Sequence, residues 1–173
     1  AVPQLEPIID AVLLQSLESS LSFSGKTAVI VDVSGSMDTK LSAKSDLTRL
    51  DAAAALASVI GSEELRVFTF SHELVECPPR KGMAGVDAVI KSQAHGGTYL
   101  AKAIQDLNKK FAYDRIIVIT DEQSHDGSSA PLKGAKGYMI NVAHYQNGVG
   151  YGQWTHINGF SERVINYIQK FEQ

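Results

Sequence analysis

The sequence holds a single cysteine, Cys77, which excludes an intrachain disulfide and any Cys-x-x-Cys redox or metal motif. No charge run is longer than a pair, and 16 Lys plus Arg stand against 19 Asp plus Glu, for a net charge of −3. That balance excludes a surface built mainly to grip nucleic-acid phosphates. No apolar run approaches the roughly 18 residues of a membrane span, and the first residues lack the basic start and cleavage site of a signal peptide. These absences predict a soluble, cytoplasmic chain with no membrane partner. What is present is a hydrophobic fraction of 44% over 173 residues, enough for one domain with a sizeable core. A single domain over 1–173 is expected, with residues 1–24 as a leading helix and lead-in.

Apolar patterning alternates between strand and helix. Leu5, Ile8, Ile9, Val12, Leu13 and Leu17 recur at helical spacing near residues 5–21. "TAVIVDV" is a continuous apolar run of the kind buried on both faces of a parallel sheet. "TRLDAAAALASVI" follows as a helix, with Thr48 and Asp51 at capping-box spacing and Gly61 as its expected stop. "LRVFTFS" reads as a strand and "GVDAVIKS" as a short helix. Leu100, Ile104, Leu107 and Phe111 mark a further helix. "DRIIVITD" and "YMINVAH" are strands, and "GFSERVINYIQKF" closes as a helix with Ser161 as N-cap. "SHDGSSAPLKGAKG" is too rich in glycine and serine for a crossover helix and is expected to be a loop. "YQNGVGYGQWTHING" reads as a hairpin or long loop around Asn147-Gly148 before a last strand. The order predicts an α/β, Rossmann-like domain with a mostly parallel central sheet and helices on both faces.

That architecture gives meaning to "AVIVDVSGSMDTK", where a buried strand leaves through one carboxylate and two closely spaced hydroxyls. Ligands of open α/β sheets bind beyond the carboxyl ends of the strands. Asp32 and Asp121 each end a strand, so both belong at that edge. Ser34 and Ser36 follow Asp32 around Gly35, and Gly96-Gly97 lets the backbone carrying Thr98 come close. Asp32, Ser34, Ser36, Thr98 and Asp121 are thus five side-chain oxygen sources from three loops. A hard divalent cation, Mg2+ or Mn2+, suits such a shell, since two carboxylates balance its charge and hydroxyls add donors without adding charge. A position left open accepts water or a partner's oxygen.

"DVSGSM" resembles the DxSxS motif of von Willebrand factor A domains, and "GGT" and "ITDEQ" resemble the threonine and aspartate elements of their metal-ion-dependent adhesion site. The resemblance implies that Asp32, Ser34, Ser36, Thr98 and Asp121 are metal ligands, directly or through water. A narrower likeness extends along nearly the whole chain. "SGK", "FSHELVECPPRKG", "GGTYLAKAI", "ITDEQSHDG" and "NGFSERVINYI" are similar to the C-terminal A-like domain of Ro/TROVE RNA-binding proteins, especially bacterial ones. In that family a ring of helical repeats holds small noncoding or misfolded RNA, and this sequence contains no counterpart of the ring. The resemblance therefore implies a metal-binding module that takes an acidic oxygen from a protein or other ligand, with RNA reached only through an associated ring. Glu122 departs from the glycine that many A domains carry after the aspartate.

Other readings compete residue by residue. Taken singly, Asp32 and Asp121 read as strand-end caps, Ser34 and Ser36 as turn residues, and Thr98 as an N-cap; their convergence favours the metal. "GKT" at Gly25–Thr27 imitates a phosphate loop, but Ser20 stands where the first glycine belongs and the triplet precedes its strand. Neither serine lies in a GxSxG elbow that would pair it with His72, His95, His125, His144 or His156. No residue is therefore assigned a catalytic role. A metal-dependent hydrolase or phosphatase, and a structural module bracing a ring, stand as alternatives. His95, His125 and Asp126 read as solvated loop residues. The basic clusters "PPRK" and Lys109-Lys110 read as surface, and Trp154, with Tyr145 and Tyr151, reads as packing over a sheet edge.

Overall fold

The computed structural model describes residues 22–41, 43, 46–80, 82–121, 124–143, 153–158 and 163–172. Strand β1 (Ser22–Asp32) leads through a single 3-10 turn (Gly35–Asp38) to helix α1 (Arg49–Val59). Next come β2 (Gly61–Phe70), β3 (Leu74–Cys77), α2 (Met83–Ile90), α3 (Leu100–Lys110) and β4 (Arg115–Thr120). The chain closes with β5 (Lys136–Asn141), β6 (Thr155–Asn158) and α4 (Arg163–Phe171). The six strands lie in the order β3-β2-β1-β4-β5-β6. All pairs are parallel except β2–β3.

Period-two alternation in the central strands assigns their side chains to two cores. Val29, Val31, Ile117, Ile119, Tyr138 and Ile140 point to one face and pack under α1, α2 and Ile168 of α4. Ala28, Ile30, Phe68, Phe70, Ile116, Val118 and Met139 point to the other, under Leu100, Ala103, Ile104 and Leu107 of α3. The alanines Ala52–Ala55 are fully buried, so α1 lies close to the sheet. Its start is the expected capping box: Thr48 Oγ1 accepts from Asp51 N–H at 3.0 Å, and Asp51 Oδ2 accepts from Thr48 N–H at 3.0 Å.

Several boundaries differ from the sequence reading. Gly61 does not stop α1; Ile60 is its extended C-cap, and Gly61 opens β2 opposite Ser22. β1 starts earlier than the apolar run, because an irregularity between Phe23 and Lys26 admits Ser22–Gly25 to the sheet. Gly25 has φ +76° there, and a Cβ would sit 2.7 Å from Asp114 Oδ2, the atom that accepts Lys26 N–H. β3 carries no strong period of its own and was not anticipated as a strand; it is an edge strand held by β2. β6 pairs parallel to β5, so a hairpin joining the two is excluded.

The glycine- and serine-rich stretch 124–135 is a loop, as expected, without a helix. Leu132 and Ala135 from this loop cover the second core. Trp154 joins them, its Nε1–H donating to Ser129 O at 2.9 Å. The helix expected near 5–21, Ser161, Glu122, His144, Tyr145 and Tyr151 lie outside the described residues. Among the described residues, no helix is long and apolar enough to cross a membrane.

Candidate metal centre

Asp32 leaves the end of β1 fully buried. The backbone turns at once, so that Ser34 N–H and Ser34 Oγ both donate to Asp32 Oδ1, at 2.9 and 2.5 Å. Thr120 Oγ1 donates to Asp32 Oδ2 at 2.7 Å, and Ser34 Oγ lies 3.3 Å from Ser36 Oγ. Asp121, also fully buried, follows Thr120 at the end of the neighbouring strand. Burial pushes the Asp32 carboxyl up from 3.8 to about 7; the Ser34 bonds oppose the rise and the Asp121 charge adds to it. Among the described residues no cation pairs with Asp32. By contrast, Arg49 Nη1 donates to Asp121 Oδ2 at 2.9 Å.

Backbone hydrogen bonds lace the three loops together. Gly35 N–H donates to Gly96 O at 2.9 Å, Tyr99 N–H to Ser71 O at 3.2 Å, and His125 N–H to Thr98 O at 2.8 Å. His72 Nε2 accepts Gly97 N–H at 3.2 Å, and a Cβ on Gly96 would stand 2.4 Å from the His72 ring. Only a glycine admits the imidazole this close to the backbone. Gly35, Ser36, Gly96, Gly97, Thr98, Ser124 and His125 line a cavity of about 250 Å³. Ser36 and Thr98 thus share that cavity, while Asp32, Ser34 and Asp121 are fully buried and do not line it.

All five expected oxygen-bearing residues gather at the carboxyl edge, on the elements anticipated for them. Thr98 is not an N-cap: Tyr99 holds that position without a side-chain cap bond. The free donors of α3 are taken from the next loop, Leu100 N–H by Ser124 Oγ, and Ala101 and Lys102 N–H by the two Asp126 oxygens at 3.0 and 2.9 Å. Asp126 is therefore a helix cap supplied in trans along the chain, not a free loop acid. His125 lies on the cavity wall with its ring 5.4 Å from that of Tyr99, which stands 5.5 Å from the ring of His72. His95 is tied to Asp38 at 3.4 Å and to Ile90 O at 3.0 Å.

Arg49 and Thr120 were missed from the sequence, and His72 was considered there only as a base for a serine. Arg49 left one readable sign, a cation in the first turn of a helix, where the macrodipole disfavours it.

The donor set fits a hard divalent cation. It is made of oxygen only, it places a buried carboxylate, with no counter-cation among the described residues, within reach of a second one's charge, and Ser36 and Thr98 face a cavity. Among the described residues no three His, Cys, Asp or Glu group together as a metal site, so a cation here would need the hydroxyls.

A mostly parallel sheet flanked by helices, with a D-x-S-x-S loop, a threonine loop and a strand-end aspartate at its carboxyl edge, defines a von Willebrand A-like domain. The model of the Ro60 vWA domain matches residues 26–144, and the chain belongs to that family. Among solved structures it is similar to the Ro (RSR) protein of Deinococcus radiodurans, with 19% identity, a TM-score of 0.67, and 86% of this chain covering 35% of that one. It is also similar to an aerotolerance-related membrane protein of Bacteroides fragilis, with 14% identity, a TM-score of 0.62, and 86% of this chain covering 97% of that one. The ArnB paralog VWA2 of Sulfolobus acidocaldarius has 21% identity and a TM-score of 0.51, 83% of this chain covering 43% of that one. At these identities the structural likeness is one of fold. No significant match exists among curated proteins.

Proposed function

We propose that this domain is a divalent-cation-dependent binding module of a Ro-like ribonucleoprotein, holding Mg2+ or Mn2+ through Asp32, Ser34, Ser36, Thr98 and Asp121. The observation that carries the reading is the buried Asp32 carboxylate, paired with no cation among the described residues and linked through Ser34 Oγ to Ser36 Oγ, which lies at an open cavity. A bound cation would supply a Lewis acid beside Asp32 and Ser36, and a partner's acidic oxygen would enter through the cavity. The residues of the chain hold and orient: Thr120 and Ser34 fix the Asp32 carboxylate, and the Gly35–Gly96 bond sets the distance between loops. Among the described residues no serine at the cavity is hydrogen-bonded to a histidine ring, which favours binding over hydrolysis. RNA, on this reading, is handled by an associated ring, and the module works in the cytoplasm. The Arg49–Asp121 pair supports one other reading, a cation-free structural module bracing such a ring.

Calorimetric titration of Mg2+ and Mn2+ into chelator-treated protein tests the choice. Saturable binding that Asp32→Ala abolishes and Thr98→Ala weakens is expected. Absence of saturable binding to the native chain would leave the bracing role.

A further inference from the structure

We infer that His72, which does not itself line the cavity, is a positioning residue of the metal centre: its ring, seated on the backbone of Gly96-Gly97, fixes the peptide from which Thr98 is presented. The inference rests on the divalent-cation reading above and assigns how one loop of that site is held.

The loop that carries Thr98 is gripped at both ends by the turn between β2 and β3. Ser71 Oγ lies 2.9 Å from both Gln93 Oε1 and Ala94 O, and Ser71 O accepts Tyr99 N–H at 3.2 Å. Between those ends, His72 Nε2 accepts Gly97 N–H at 3.2 Å, one residue before Thr98. The His72 ring also stands 5.5 Å from the Tyr99 ring, one residue after it. On the other side of the loop, Gly96 O accepts Gly35 N–H at 2.9 Å, so the same short segment joins His72 to the loop that carries Ser34 and Ser36.

Gly96 and Gly97 do not adopt a left-handed φ, so their backbone is open to any residue and the demand for glycine is one of space. The three atoms nearest a Cβ on Gly96 all belong to the His72 ring, two of them at 2.4 Å, and a Cβ on Gly97 would stand 3.2 Å from the same ring. Two adjacent glycines leave a loop little stiffness of its own. A hydroxyl ligand must nevertheless sit about 2.1 Å from a small divalent ion, in near-ideal geometry, which requires a supporting side chain behind it. His72 is exposed, so burial explains its seat poorly, whereas the bond to Gly97 N–H supplies that support.

Calorimetric titration of Mn2+ into the native chain, His72→Ala and His72→Gln, each with and without Thr98→Ala, reads this directly. His72→Ala is expected to weaken Mn2+ binding about three- to tenfold. His72→Gln, whose Oε1 can stand near the place of Nε2, is expected to restore most of that loss. In the Thr98→Ala background His72→Ala is expected to cost no further affinity, because the group it positions is gone. Gly96→Ala, which displaces the ring but keeps the imidazole in the chain, repeats the cycle with a second variant: it weakens Mn2+ binding to the native chain and adds nothing to Thr98→Ala. Native affinity in both His72→Ala and Gly96→Ala, a His72→Gln as weak as His72→Ala, or losses that persist in full beside Thr98→Ala overturn the role of His72 and leave the metal reading standing. No Mn2+ binding by the native chain overturns the metal reading, and this inference with it.

Discussion

Two buried arginine–carboxylate pairs stand at opposite ends of the same sheet, and they are built to different specifications. At the amino end, Arg115 donates through Nε to Glu172 Oε2 at 2.6 Å and through Nη2 to Oε1 at 2.5 Å. Its Nη1 donates to Thr27 Oγ1 and Ser24 O, its guanidinium lies over the Phe23 ring, and Tyr138 OH donates to Glu172 Oε2. Burial alone would raise the Glu172 carboxyl, yet the Arg115 and Tyr138 bonds bring it below its ordinary range. At the carboxyl end, Arg49 reaches Asp121 through one nitrogen, and Asp32 beside it is pushed up to about 7 by burial. The first arrangement satisfies its charges with one another; the second gives Asp32 no cation among the described residues. A buried carboxylate left without a paired cation is what a binding site uses and what a brace must avoid.

The largest effect should come from the closed brace. Arg115→Ala strands Glu172 and is expected to cost about 3–5 kcal/mol, read by urea unfolding; a loss under about 1 kcal/mol would erase the contrast. Asp32→Asn should act in the opposite direction, stabilising the metal-free chain at pH 8 by about 2 kcal/mol. The sign follows from proton binding. The folded Asp32 titrates near 7 and its ordinary value is 3.8, so between those values the folded state holds a proton that the unfolded chain has lost. The stability this group contributes is complete at low pH and is lost as pH rises from about 4 through 7. The native-minus-Asp32→Asn difference in unfolding free energy should therefore fall by on the order of 3–4 kcal/mol over that window; a flat difference would show Asp32 to be ordinary.

Smaller effects test how the open site is held. Gly96→Ala drives a Cβ into the His72 ring, so His72 must turn away and release Gly97 N–H. A loss of about 1–2 kcal/mol in thermal unfolding is expected, together with weaker Mn2+ binding; unchanged affinity would detach the Gly96 loop from the site. Thr48→Ala removes the cap next to Arg49 and should cost about 1 kcal/mol, measured by chemical denaturation.

The elements with a strong apolar period were readable beforehand. β1 and β4 are near-continuous hydrophobic runs, and α3 repeats at helical spacing, because burial on both faces or along one stripe imposes those periods. Asp32 and Asp121 were legible for the same reason, each ending such a run. β3 was not, since a four-residue edge strand takes its form from the strand it pairs with. Arg49 and Asp126 were not, because their partners lie 72 and about 25 residues away in sequence, and no local pattern encodes such a distance. Thr98 shows the limit in one residue. Its place ahead of α3 suggested a cap, but the cap came from Ser124 and Asp126 across the cavity, which leaves Thr98 at the cavity wall.

Local chemistry in the chain determined which segments become strands and helices, that the sheet is mostly parallel, and that five oxygen-bearing residues meet at its carboxyl edge. Tertiary structure alone decided the charge of that meeting point. It buried Asp32 without a described counter-cation and gave Asp121 an arginine from a different helix, because the strength of a charge depends on solvent exclusion and on neighbours distant in sequence, and both exist only once the sheet and its helices have closed.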